Sequence, residues 1–188
     1  MSEPTVAVFL APGCEEIEAL TVVDILFRAK IACDTVSVAE GREVTSSHGV
    51  TMVATKHVLE ADLDAYDMLV LPGGLPGTPN LHACEPLMEA MKAHYAAGGT
   101  VAAICAAPGL VLGQLPNLSG IEFTCFEGFE TLPESKGARF VPKAAIRSGR
   151  IITGRSAGHA LTFALEILGV LRPDRVEEVK HALYLWTA

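Results

Sequence analysis

Three short apolar runs, each stopped by a turn of small residues, limit this chain more than any other feature. Thr5–Leu10 (TVAVFL) runs into Ala-Pro-Gly, Met68–Leu71 (MLVL) into Pro-Gly-Gly, and Thr100–Ile104 (TVAAI) into Cys-Ala-Ala-Pro-Gly. Runs of this length and make-up read as strands, and their lack of polar alternation means burial on both faces. Helical stretches alternate with them: 15–30, with two acidic residues in its first turn, 85–97, closed by Gly98-Gly99, then 107–112, 157–168 and 173–185. Further strands are expected at 34–39 and 121–124, with an extended pair over 43–54 broken at Ser-Ser-His-Gly. Strands at 139–147 and 150–153 should flank a turn at Ser148-Gly149. This β-α-β order predicts an α/β fold: a doubly wound, mainly parallel sheet with helices on both faces, in a single domain over 1–188.

Composition agrees with a folded core. Of 188 residues, 50% are hydrophobic and 19% charged, which excludes a disordered chain. The net charge of −8 argues against a surface for nucleic acid or anionic membrane, since phosphate binding needs clustered Lys and Arg. No apolar stretch is long enough to span a membrane, and the first residues lack the positive region of a signal peptide, so the cytoplasm is the expected location. The five cysteines are odd in number and widely spaced, which argues against a disulfide framework. Neither CxxC nor HExxH occurs, so no structural metal is expected.

In an open α/β sheet the functional crevice lies beyond the carboxyl ends of the strands. That rule selects the loops after Leu10, Leu71, Ile104 and Thr124, which carry APGCEEIEA, PGGLPG, CAAPG and CFEGFE. Cys105 falls at a strand-to-helix turn, where a helix N-terminus favours a thiolate. Pro108 suits a first helical turn, and Ala106 and Ala107 leave room for a substrate. The arrangement is a nucleophile elbow with Cys in place of Ser. Cys can also serve as a small core hydrophobe. Gly73 and Gly74 let backbone N–H groups converge on an anion, and with the Ala106 amide they would form an oxyanion hole. Glu18 shares a helical stripe with Val22 and Ile25, and a carboxyl there would tend to hold its proton. Glu16 lies over Leu20 and Val23, so periodicity does not choose between the two.

The motifs APGCEEIEA, VVDILFRA, YDMLVLPGGLPG, AAICAAP and GRSAGHALTFALEIL together resemble the DJ-one/ThiJ/PfpI superfamily, in particular its DJ-one/YajL-like branch. The resemblance spans most of the chain. It implies a flavodoxin-like homodimer, Cys105 as nucleophile and redox-sensitive thiol, and Glu18 as the protonated carboxyl bonded to it. It also implies that the amides of Gly73, Gly74 and Ala106 line the anion site, and that Asp24 and Arg28 stand near the dimer contact. Cys125 occupies a position where some relatives have His, which leaves Glu18 as the thiol's partner. Ala106 stands where the hydrolase branches have His, so His159 is the remaining nearby imidazole.

The resemblance implies a cofactor-independent cysteine enzyme that converts reactive 2-oxoaldehydes to 2-hydroxy acids, or removes their adducts from proteins and nucleotides. The alternative is a non-enzymatic redox sensor or stress chaperone. A cysteine hydrolase or amidotransferase would need a histidine beside Cys105.

Overall fold

The computed structural model describes residues 3–185. In chain order its elements are β1 (Thr5–Leu10), α1 (Glu16–Arg28), β2 (Ala32–Ser37), β3 (Glu43–Thr45), β4 (Thr51–Val53), β5 (Lys56–His57), β6 (Met68–Leu71), α2 (Gly77–Ala83) and α3 (Glu85–Ala96). Then follow β7 (Thr100–Ile104), α4 (Ala107–Leu110), β8 (Glu122–Phe123), α5 (Thr131–Ser135), β9 (Arg139–Phe140), β10 (Ala145–Ser148), β11 (Ile151–Gly154), α6 (Ala160–Leu171) and α7 (Val176–Ala182). Among the described residues, no helix is long and apolar enough to cross a membrane.

Seven strands form the main sheet in the order β10-β11-β7-β6-β1-β2-β5. All neighbours are parallel except β10, which runs antiparallel to β11. The five consecutive parallel strands β2-β1-β6-β7-β11 have the doubly wound, flavodoxin-like order, and the order reverses between β1 and β6. The apolar runs divide their side chains between two cores. Val6, Val8 and Leu10 of β1 face α1 and α6, with Val22, Ile25, Phe163 and Ile167. Ala7 and Phe9 face the other way, toward Leu87, Met88 and Met91 of α3. Each of these five β1 side chains is at most 1% exposed, which is why β1 shows no polar alternation.

Local chemistry sets the helix ends. Helix α1 stops at Arg28, short of the expected Lys30, because Lys30 turns left-handed (φ 58°) and its amide bonds back to Phe27 O at 3.0 Å. Gly98, at φ 102°, ends α3 as the Gly-Gly pair predicts. The second strand is displaced from 34–39 to Ala32–Ser37. The helix expected over 107–112 is a single turn followed by a 3-10 turn at Leu112–Gln114. The last two helices each begin with a 3-10 turn, at Ala157–His159 and Pro173–Arg175.

Two corrections bear on the site. The extended run at 139–147 is two strands: Arg139–Phe140 pairs with β8, and only Ala145–Ser148 joins the main sheet. The loop after Thr124 therefore hangs from a separate two-stranded ribbon. Helix α2 was not expected, because Gly77 and Pro79 are poor helix formers. Tertiary contact overrides propensity there: Thr78 Oγ1 donates to Gly74 O at 2.9 Å, Leu81 is fully buried, and Gly77 packs on Cys14.

Candidate active site

Four chain segments meet at the carboxyl end of the sheet. Cys105 follows β7 in a left-handed conformation, φ 65°, which non-glycine residues seldom adopt. Its amide donates to Gly154 O at the end of β11 (3.0 Å), and its carbonyl accepts from the Phe126 amide (2.8 Å). The nucleophile elbow is thus tied on both sides. Its neighbour Ala106 is buried.

Glu18 lies on the first turns of α1 and is fully buried, which resolves the choice against the partly exposed Glu16. Glu18 Oε2 accepts from the Gly73 amide at 2.8 Å. That is a correction for Gly73: its N–H serves the carboxyl and is not free to hold a substrate oxyanion. The Gly74 and Ala106 backbones instead favour negative charge on the Cys105 sulfur. Gly73 also supplies the space in which the two side chains meet. A Cβ at that position would lie 2.5 Å from Cys105 Cβ and 2.7 Å from Glu18 Oε2. At Gly74, φ is 93° and a Cβ would collide with the backbone of Cys14 and Glu15, so only glycine lets the two loops touch.

Burial works against charge on both members of the pair. Burial raises the Glu18 carboxyl to about 7, although the Gly73 amide and the Cys105 thiol pull it down. Burial also pushes the Cys105 thiol up to about 12, the negative charge of Glu18 adds to this, and the Gly74 and Ala106 amides act against it. The two groups share one buried site, so their titrations are coupled and a charge on either one disfavours a charge on the other.

The pocket over Cys105 has a volume of about 270 Å³. Leu75, Phe126 and Phe129 form apolar walls, while Glu15 and Ser47 form a polar edge. Phe126 comes from the CFEGFE loop that the carboxyl-end rule selected. Sequence reading missed Ser47, which arrives on the β3–β4 turn, and no spacing rule links it to Cys105.

The remaining candidates stand apart. Cys125 is fully buried, its thiol pushed up to about 12 by burial and then by Glu130, and it does not line the pocket. His159 Nδ1 faces Ser156 Oγ at 3.5 Å at the start of α6, away from the pocket walls. Asp24 and Arg28 pair with each other along α1 at 2.7 Å. The described cysteines are all free thiols.

Comparison with known proteins identifies the family. A family model described as DJ-1/PfpI family matches residues 4–169. The chain is 32% identical to Protein dj-1beta of Drosophila melanogaster over 177 residues, 94% of each. It is 33% identical to Protein DJ-1 homolog B of Arabidopsis thaliana over 165 residues, 88% of this chain but 37% of that longer protein. The Glutathione-independent glyoxalase DJR-1.2 of Caenorhabditis elegans is 25% identical over 186 residues, 98% of each. Among solved structures, oxidized Toxoplasma gondii DJ-1 superposes with a TM-score of 0.90 at 29% identity, covering 98% of this chain and 100% of that one. Drosophila melanogaster DJ-1beta gives 0.90 at 31% identity, covering 97% and 98%.

Proposed function

Because the chain belongs to the DJ-1/PfpI family, and its elbow cysteine shares a buried site with a carboxyl, we propose that it is a cofactor-independent isomerising hydrolase of small 2-oxoaldehydes. The observation that carries this reading is the meeting of Cys105 and Glu18 across the bare α-carbon of Gly73. A carboxyl titrating near 7 suits a group that must both take and return a proton. The C. elegans glyoxalase among its relatives supports the same chemistry.

The chemistry needs no external oxidant or reductant. As the Cys105 sulfur attacks the aldehyde carbon, the thiol proton passes to the Glu18 carboxylate and the carbonyl pair moves onto oxygen. The Gly74 and Ala106 amides, which favour negative charge at the sulfur, stabilise the resulting oxyanion, and Glu18 then passes the thiol's proton to it and is a carboxylate again. Glu18 then removes the proton from the former aldehyde carbon, giving an enediol, and returns it to the neighbouring carbon. The first carbon is oxidised and the second reduced, leaving a 2-hydroxy thioester. Water cleaves the thioester to the 2-hydroxy acid and restores the thiol. Adducts that release a 2-oxoaldehyde equivalent would enter the same path. The test is conversion of methylglyoxal to lactate by the wild type and by Cys105→Ser. Full turnover by Cys105→Ser would overturn the reading.

A second reading, a peroxide-sensing thiol, is favoured by one feature. The Gly74 and Ala106 amides at the sulfur are also suited to hold the oxygens of a sulfinate, and one solved relative is an oxidized form. In either role the chain would pair with a second copy through α1. Ile17 and Leu20 are exposed there and line an apolar groove of about 420 Å³ with Leu161 and Leu185.

A further inference from the structure

At the rim of the thiol pocket, three potential ligand side chains converge from two segments far apart in sequence. Glu15 and Glu16 open α1, and His48 stands on the β3–β4 turn. His48 Nδ1 lies 3.0 Å from Glu16 Oε1 and 3.6 Å from Glu15 Oε1, and one donor atom from each residue falls within 4.8 Å of the others. The turn is fixed in place by backbone bonds. Ser47 N donates to Cys14 O (2.9 Å), and Gly13 N donates to Thr45 O (2.8 Å).

A simple ion pair leaves this cluster incomplete. One ring nitrogen carries at most one proton, yet Nδ1 faces both carboxylates and the Ser47 hydroxyl, which is 3.4 Å away. Glu15 Oε1 is buried from solvent and has no hydrogen-bond partner among the described residues. A buried carboxylate oxygen in that condition is costly. A single cation would accept lone pairs from all three groups. Zinc–ligand bonds of about 2.0–2.2 Å require tetrahedral edges of about 3.4 Å. The observed 3.0 and 3.6 Å separations bracket that value.

We propose that Glu15, Glu16 and His48 form a binding site for one divalent transition-metal ion of the zinc type at the edge of the Cys105 pocket. A donor set of one imidazole and two carboxylates suits Zn²⁺ better than Ca²⁺, which prefers oxygen alone. Because Glu15 also forms part of the pocket wall, bound metal would place positive charge at the entrance used by substrate.

The test measures metal binding alone. Zn²⁺ is titrated by calorimetry into the wild type, His48→Ala, Glu16→Gln and Cys105→Ser. Co²⁺ absorbance reports the donor type. The expected result is one metal per chain, an affinity at least about tenfold weaker in His48→Ala and Glu16→Gln, and no change in Cys105→Ser. Co²⁺ should show no thiolate charge-transfer band. His48 is 62% exposed, so its removal should leave the fold intact, and thermal unfolding of the metal-free variants checks this. Three results would overturn the proposal: no binding by the wild type, binding retained in His48→Ala, or binding lost in Cys105→Ser.

Discussion

Glu18 Oε2 accepts the Gly73 amide at 2.8 Å, and so the carboxyl is held beside the space that a Gly73 side chain would fill, which Cys105 Cβ also borders. This bond fixes the distance between proton acceptor and nucleophile more firmly than either side chain could alone. It also gives Glu18 two separable effects on the thiol.

The first effect is proton transfer, and the second is charge. Glu18→Gln keeps the shape and removes both the base and the negative charge. Methylglyoxal turnover should fall by about 10²–10⁴-fold. The thiol should become easier to ionise, because the Glu18 charge that raises it is gone. Alkylation by iodoacetamide at neutral pH should therefore speed up in the same variant. Slower alkylation together with full turnover would remove Glu18 from the mechanism.

A raised carboxyl also leaves a mark on stability. The folded-state value of about 7 lies above the ordinary 4.5, so the fold favours the protonated form. The linked stabilisation is complete below about pH 4.5 and is lost as the pH rises through 7. The difference is worth about 3 kcal/mol. Denaturant unfolding should show Glu18→Gln gaining on the wild type between pH 5 and pH 8. A constant gap across that range would contradict the shift.

Gly73→Ala is the sharpest steric probe. Its Cβ would enter within 3 Å of both Cys105 Cβ and Glu18 Oε2. The overpacking should cost about 1–3 kcal/mol, and turnover should be lost even where the fold survives. Thermal melting measured beside the methylglyoxal assay separates the two effects. Normal turnover in this variant would mean that the two side chains need not meet.

The apolar groove on α1 gives a test of assembly. Leu20→Glu places a charge on that face without touching the pocket. Sedimentation of the wild type at micromolar concentration should give a dimer, and Leu20→Glu should shift it to monomer. An unchanged dimer would locate the contact elsewhere.

Much of the sheet was readable from residues alone. The apolar runs at Thr5–Leu10, Met68–Leu71 and Thr100–Ile104 coincide with β1, β6 and β7, because burial on both faces leaves no other pattern. Cys105 followed from its place at a strand end. The choice of Glu18 over Glu16 did not, since both lie over apolar neighbours one turn on. Packing of α1 against the sheet decides it. Nor could spacing reveal that the Gly73 amide is engaged by Glu18, or that Ser47 and His48 reach the pocket rim, because those contacts join segments about 30 or more residues apart. The burial of the pair is hidden from sequence for a related reason. A helix start is visible in sequence, but its length of one turn and the burial of the sulfur are tertiary facts.

The left-handed backbone at Cys105 makes the reactive position a poor one for any side chain. Holding a non-glycine residue there costs about 1–2 kcal/mol. Glycine would relieve that cost and abolish the chemistry. A population of variants sorted only for resistance to heat would therefore drift toward an inert protein, and an engineer raising its melting temperature should keep position 105 out of the library.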